Sequence, residues 1–414
     1  VPDYSDLPLQ SYISVIEIVN PMHSLWSDGR WNKLTLAHGC YWGKCSFCDI
    51  SLDYIRNYEK TTATILVDRI KQLIQQTGER GFHFVDEAAP PALMKELAIE
   101  LLRRKIKISW WTNIRFEKSF TQDIAFLLAA SGCIAVSGGL EVASDRLLQL
   151  MQKGVTVSQV AKVADNLTNA GIMVHAYLMY GFPTQTDQET IDALENVRQL
   201  FEANVIQSAF WHLFAMTAHS PIGLNPDQFK VEQQSKEVGT FANNDIPHID
   251  TIGCNHEQFG AGLRKSLFNY MHGLCFDYPL QEWFDFKVPR TTVTKFAIQK
   301  AIQDTTERVA KNNHQIIWLG TIPQVKKTQK KIKGHLYTES QLLFNTARTS
   351  FTLNFTEAQG EWLCDALKQC TPNIHKYSFE QFKKSYLEKV GTDFDTFWMS
   401  PNVQKCRSEG LLLV

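Results

Sequence analysis

From residue 32 to residue 215 the sequence alternates short β-forming runs with amphipathic helical stretches, and that order restricts the fold more than any other feature. Strands are expected at Lys33–Ala37, Phe82–Val85, Ile108–Thr112, Ile134–Glu141, Ile172–Met179 and Ser208–Leu213. Between them, apolar residues recur at helical spacing. Leu66, Ile70, Leu73 and Ile74 mark a helix over Thr62–Gln76, and Leu93, Leu97 and Leu101 mark one opened by Pro90-Pro91. A third runs from Thr121 to Leu128, and Val160, Val163, Ala164 and Leu167 stripe a fourth over Ser158–Ala170. Thr186 and Glu189 form a capping box for a fifth, which reaches Phe201. Six strands with intervening helices imply parallel βαβ units wound right-handed. The periodicity fits a partial barrel and an open doubly wound sheet equally well. In both, ligands bind at the carboxyl ends of the strands.

At the end of the first expected strand stands Cys40-Tyr-Trp-Gly-Lys-Cys45-Ser-Phe-Cys48, a C-x4-C-x2-C run. Three clustered thiolates fit an iron–sulfur cluster that keeps one iron for another ligand. They also fit a zinc site if a fourth ligand is found, and His38 is the near candidate. Three cysteines cannot all pair as disulfides, and loops this short strain the bond. The other six cysteines, Cys133, Cys254, Cys275, Cys364, Cys370 and Cys406, lack C-x2-C spacing and read as small buried hydrophobes. Cys364 and Cys370 are the pair to consider for an auxiliary cluster.

The run resembles the cluster-binding loop of the radical S-adenosylmethionine (SAM) superfamily. That loop usually reads C-x3-C-x2-C with an aromatic before the last cysteine, the place that Phe47 occupies; here one extra residue separates Cys40 from Cys45. Further segments resemble the same superfamily in the same order. Asp86-Glu87 follows the second strand, where the family often has Gly-Gly-Glu. Gly138-Gly139-Leu140-Glu141 and its continuation Leu147–Gly154 match the fourth-strand segment, and Tyr180-Gly181-Phe182-Pro183 matches the fifth-strand exit loop. The resemblance covers roughly residues 30 to 215. It implies an α/β fold, a partial (β/α)6 TIM-type barrel. It also implies a [4Fe–4S] cluster on Cys40, Cys45 and Cys48, with SAM as the molecule bound there. On the same ground, Phe47, Asp86, Glu87, Asn113, Arg115, Ser137, Glu141, Tyr177 and Met179 are the expected cofactor-binding residues. Arg115 suits a bidentate carboxylate grip. Tyr41 and Trp42, inside the loop, are expected to shield the cluster or line the pocket.

The loop and the fourth-strand segment look most like the cobalamin-associated branch, which implies methyl transfer with cobalamin. The Asp-x-His-x-x-Gly signature of that branch's cobalamin-binding domain is absent, and residues 1–29 read as an N-terminal connector. Without cobalamin, hydrogen abstraction would lead to rearrangement, oxidation or bond formation. The implied partners are a small-molecule or peptide substrate and an electron donor such as flavodoxin or ferredoxin. Outside this class stand a non-catalytic zinc-binding interaction module and radical modification of RNA.

Composition narrows the setting. A net charge of −1 gives no global basic field for nucleic acid. The basic run Lys326–Lys333 reads first as a solvated loop and only second as a binding patch. Neither a stretch of about 20 apolar residues nor a signal peptide appears, and the cysteine usage suits a reducing cytoplasm. Beyond residue 225 the alternation stops. Helices are expected at Phe259–Met271, Val293–Asp304 and Glu357–Leu367, and short strands at 316–319, 342–344 and 350–353. We expect residues 226–414 to be a C-terminal helical and α+β appendage that covers the barrel or binds substrate.

Overall fold

The computed structural model describes residues 1–12, 31–234, 244–304, 310–332, 335–347, 349–372 and 376–414. Most of the expected N-terminal connector lies outside these residues. Six strands form the main sheet: β1 (Trp31–Leu34), β2 (Gly81–Phe84), β3 (Ser109–Ile114), β4 (Cys133–Glu141), β5 (Met173–Tyr180) and β6 (Ser208–Leu213). They lie in the order β1-β2-β3-β4-β5-β6, and every neighbouring pair is parallel. A doubly wound sheet reverses its strand order at a switch point. This sheet does not, so each connection winds the same way and the sheet is a partial barrel with β1 and β6 as its edges. The first strand is earlier than expected, because residues 35 and 36 leave the ladder to enter the cysteine loop. Ala37–His38 pairs antiparallel with Glu59–Lys60 instead.

Between the strands run α1 (Ala63–Thr77), α2 (Pro91–Arg103), α3 (Gln122–Ala130), α4 (Asp145–Leu150), α5 (Val157–Asn169) and α6 (Asp187–Glu202). Their ends are written in the sequence. Thr62 accepts from the Ile65 amide at the start of α1, and Gly78 closes it. Thr186 and Glu189 complete the expected capping box on α6. Buried residues recur on one stripe of α5, at Val160, Val163, Ala164 and Leu167. On the outer face of the sheet Trp110, Val136, Val174, Ala176, Ala209 and Trp211 are buried. Period-two alternation leaves the other face with Trp111, Asn113, Ser137, His175, Tyr177 and Phe210.

The chain divides into two compact units, and the division differs from the expected boundary at residue 225. The first unit contains residues 1–94, 108–121 and 132–305. Residues 226–304 therefore belong with the barrel. There α7 (Gly260–Met271) packs on β6 and α6, and α8 (Ala297–Gln303) packs on α5 and α6. Polar ties fix this addition. Gln199 on α6 donates to the Thr294 carbonyl at 3.0 Å and accepts from the Ile298 amide at 3.2 Å. Short elements joined by irregular chain carry little periodicity, which is why the sequence pattern breaks off here.

The second unit contains residues 95–107, 122–131 and 306–414. Its antiparallel sheet joins β8 (Gln324–Ile332), β9 (His335–Asn345) and β10 (Ser350–Thr356) in that order. A two-stranded pair joins β7 (Ile316–Trp318) to β11 (Leu411–Leu413). Helices α9 (Glu357–Gln369), α10 (Phe379–Lys389), α11 (Phe394–Trp398) and α12 (Pro401–Ser408) complete the unit. Its core includes Trp318, Phe344, Trp362, Phe382 and Tyr386, together with Cys364, Cys370 and Cys406. The run expected as a basic loop is instead largely strand β8. Lysines suit it because β8 is an edge, where charge deters pairing with other chains. Lys327 is held 2.6 Å from both Glu357 and Glu361. Among the described residues no helix is long and apolar enough to cross a membrane.

Candidate active site

The cysteine loop leaves β1 at the carboxyl edge of the sheet, and Asp86 fixes its departure. The Asp86 carboxylate is buried and accepts from the Leu36 amide at 3.0 and 3.1 Å and from the Ala37 amide at 2.8 Å. Burial pushes its carboxyl up to about 6, against the pull of those amides. Glu87 beside it is exposed. The Cys40 amide donates to the Ile55 carbonyl at 2.9 Å. Gly39 makes that approach with φ +72°, and a Cβ there would stand 2.5 Å from the Asn57 carbonyl oxygen. At the far end of the loop, Asp49 accepts from the Thr217 hydroxyl at 2.5 Å and from the Asn244 amide nitrogen at 2.7 Å.

Four consecutive residues hold the middle of the loop. The Ser46 amide donates to the Met151 carbonyl at 2.9 Å. Trp42 Nε1 donates to the Gln152 carbonyl at 2.8 Å. The Arg115 guanidinium donates to the Lys153 carbonyl. Gly154 lies flat against Trp42, and a Cβ on it would stand 2.3 Å from the indole. The backbone of Met151–Gly154 thus sets the loop, although only the resemblance of Leu147–Gly154 singled it out in the sequence.

Two buried cations meet beside Cys45. Arg115 places Nη1 3.9 Å from Cys45 Sγ and stacks 4.1 Å over the Trp42 ring; its Nε lies 3.0 Å from Glu117. Lys153 Nζ lies 2.6 Å from Glu141 Oε1 and 5.5 Å over the Phe47 ring. Burial disfavours the Lys153 charge, but Glu141 and Cys45 hold its pKa above the ordinary lysine value. The Cys45 thiol is held down to about 7, first by its hydrogen bond with Cys48 and then, against burial, by Lys153 and Arg115. That same bond and burial push Cys48 up. A cationic surround of this kind favours thiolates. Lys153 is the functional candidate that the sequence reading missed; a lysine past a helix gives no signal until the chain folds it under Phe47.

The remaining candidates divide in two. Glu141 stands at φ +58° beside an irregularity in the β4–β5 ladder, which turns its carboxylate to Lys153. Asn113 donates to the Asp86 carbonyl at 3.0 Å and accepts from the Tyr177 hydroxyl at 3.4 Å. Ser137 is buried level with Asn113 and His175. Met179 and Phe47 pack on an apolar cluster with Met151, Phe182 and Ile222, and Phe47 also lies under Lys153. Tyr41 donates to Glu117 at 3.2 Å. At the fifth-strand exit loop, Gln185 accepts from the Gly181 and Phe182 amides at 2.8 and 3.3 Å.

The same stretch is found in known proteins. The family model of the radical SAM superfamily matches residues 34–197. An uncharacterized methyltransferase of Pyrococcus horikoshii is 25% identical over 205 residues, covering 48% of this chain and 43% of the relative. The anaerobic magnesium-protoporphyrin IX monomethyl ester cyclase of Rubrivivax gelatinosus is 27% identical over 203 residues, covering 48% of this chain and 34% of its own length. The chain therefore spans less than half the length of these two relatives. Among solved structures, the radical SAM methyltransferase TsrM of Kitasatospora setae is similar at TM-score 0.42 and 20% identity, covering 50% of this chain and 43% of that one. With its cysteine loop, parallel partial barrel and ordered strand-end motifs, residues 34–197 of the chain match the radical SAM superfamily.

Proposed function

We propose that this chain reductively cleaves SAM at a [4Fe–4S] cluster held by Cys40, Cys45 and Cys48. The observation that carries the reading is the pair of buried cations, Arg115 and Lys153, beside Cys45. Three thiolates and a cluster bring negative charge into a partly buried loop. Cations already held beside Cys45, although each is also paired with a carboxylate, reduce the cost of holding it there. The donor types suit the group: three cysteines on one loop, Cys45 and Cys48 hydrogen-bonded to each other, although among the described residues no three metal-ligating side chains are gathered at one point.

When bound, such a cluster supplies the electron that breaks a C–S bond of SAM and frees a radical for the substrate. The residues of this chain bind and orient. Glu87, exposed at the end of β2, is available to the methionine ammonium, whereas Asp86 is committed to the amides of Leu36 and Ala37. Asn113, half-buried at the end of β3 and bonded to the Asp86 carbonyl, is suited to the ribose. Trp42 and Phe47 keep water from the cations they cover.

Methyl transfer is the finer reading and takes its support from a relative described as a methyltransferase. Nothing among the described residues forms a cobalamin-binding domain. A low-potential donor such as flavodoxin or ferredoxin would supply the electron. Anaerobic loading with iron and sulfide tests the reading. The wild type should take up about four irons with the broad absorbance and reduced-state resonance of a [4Fe–4S] centre, and the resonance should change when SAM is added. Stoichiometric zinc uptake without iron would count against it.

A further inference from the structure

The inner face of the sheet carries an arrangement that the cysteine loop does not use. Asn113, Ser137, His175 and Ser208 lie level across β3 to β6, and Tyr177 lies level with Phe210 one step nearer the carboxyl ends. The first level is closed: Ser137, His175 and Ser208 are 1%, 4% and 0% exposed, and His175 Nδ1 lies 2.7 Å from Ser208 Oγ. The next level is open. Tyr177 is 37% exposed and Phe210 49%, and His212 is exposed two residues further along β6. The rings meet in pairs, with His175 5.0 Å from Tyr177 and Phe210 4.5 Å from His212. A polar floor therefore lies beneath an aromatic wall.

This cup is close to uncharged. Burial pushes the His175 imidazole down to about 4 and so keeps it neutral. Below the level of Glu141, the one charged side chain that strand alternation places on the inner face is Lys33, and it is bound by His83 at 2.9 Å. The two cations near the cysteines are committed to Glu117 and Glu141. A charged ligand in the cup would thus lose its hydration with no partner but the His212 ring, among the described residues of this face, to replace it. A flat ring would cover the exposed faces of Tyr177 and Phe210 in the offset or edge-on geometries that aromatic groups favour.

We propose that this face is the substrate subsite and that it takes a flat, uncharged, unsaturated ring, placed between Tyr177 and Phe210 with the imidazole of His212 at its edge. The proposal rests on the SAM-cleavage reading above and goes further by naming the substrate class and assigning β6 to it.

The test uses the cluster-loaded protein with SAM present and three probes at neutral pH: quinoline, 1-naphthoate and cyclohexanol. Binding is read by saturation-transfer NMR, and 5′-deoxyadenosine formation is measured on the same samples. Quinoline should bind about fivefold or more tightly than either other probe, and Phe210→Ala should weaken it about tenfold while Phe210→Tyr retains it. Half-exposed Phe210 can be truncated without opening the core. If 5′-deoxyadenosine forms but the probes bind alike, or Phe210→Ala binds quinoline as the wild type does, the subsite is overturned and SAM cleavage stands. If no sample forms 5′-deoxyadenosine, the reading beneath it fails and the proposal falls with it.

Discussion

Lys153 Nζ lies 2.6 Å from Glu141 Oε1, with both side chains about nine-tenths buried, directly beside the cysteine loop. Neither charge would be tolerated there alone. Glu141 reaches the pair through a left-handed backbone at the end of β4, and Lys153 reaches it from beyond α4. The pair therefore ties two distant parts of the chain to one point. Removing one partner leaves the other charged and buried. Lys153→Met or Glu141→Gln alone should cost about 3–5 kcal/mol, and the double variant should recover much of that. Chemical denaturation of the four proteins measures the coupling; additive losses would show that the pair does not act as a unit.

Gly154→Ala should damage the loop without touching a cysteine. Its Cβ would drive into Trp42, on which Arg115 stacks, and φ is +74°. The expected loss is about 1–3 kcal/mol, by overpacking and backbone strain. Iron uptake should fall at the same time. Gly171→Ala is the control: φ is +87°, but nothing lies within 4 Å of the new Cβ. It should carry only the backbone cost and leave iron uptake intact.

The three cysteines, the parallel order and the Thr186 capping box follow from local signals: spacing, period and cap chemistry. Partial barrel against doubly wound sheet does not, because strand order is a long-range property that no window of sequence contains. Asp86 was legible as a carboxylate at a strand end, but its commitment to the Leu36 and Ala37 amides depends on β1 and β2 pairing. The Met151–Gly154 backbone was reached only through the resemblance of Leu147–Gly154, because carbonyls carry no sequence signature. In the second unit, the lysines of β8 looked like a loop because charge outweighs the alternation of an edge strand.

Acid should destabilise the barrel through its histidines. His83 and His175 are both pushed down to about 4 from 6.5, mainly by burial. The unfolded chain therefore binds more protons than the fold between those values. The stability these groups contribute is present above pH 6.5 and lost as pH falls toward 4. Asp86, raised from 3.8 to about 6, acts in the opposite sense over most of that window. With two histidines against one carboxylate, the transition temperature should fall on acidification. His175→Asn should flatten the profile; an unchanged slope would mean that His175 is not protonated on unfolding.

Asp86→Ala should uncouple the loop from the strand that precedes it. Two backbone amides, Leu36 and Ala37, lose their acceptor in a buried place. The cost should be about 1–3 kcal/mol per unsatisfied amide, before any change in iron content. Glu87→Ala should leave thermal stability nearly unchanged, since that side chain is exposed, and should weaken SAM binding. Titration of SAM into both variants separates the two carboxylates. Equal SAM affinity in Glu87→Ala and wild type would remove Glu87 from the site.

In the proposed function, Cys40, Cys45 and Cys48 hold a cluster that cleaves SAM, with Arg115 and Lys153 beside Cys45. The direct measurement is the yield of 5′-deoxyadenosine after anaerobic iron–sulfide loading, with SAM and a strong reductant. The wild type should form it, and Cys45→Ala, still folded, should form none. A folded wild type that takes up iron and leaves SAM intact, or a Cys45→Ala variant that cleaves SAM as well as the wild type does, would contradict the account.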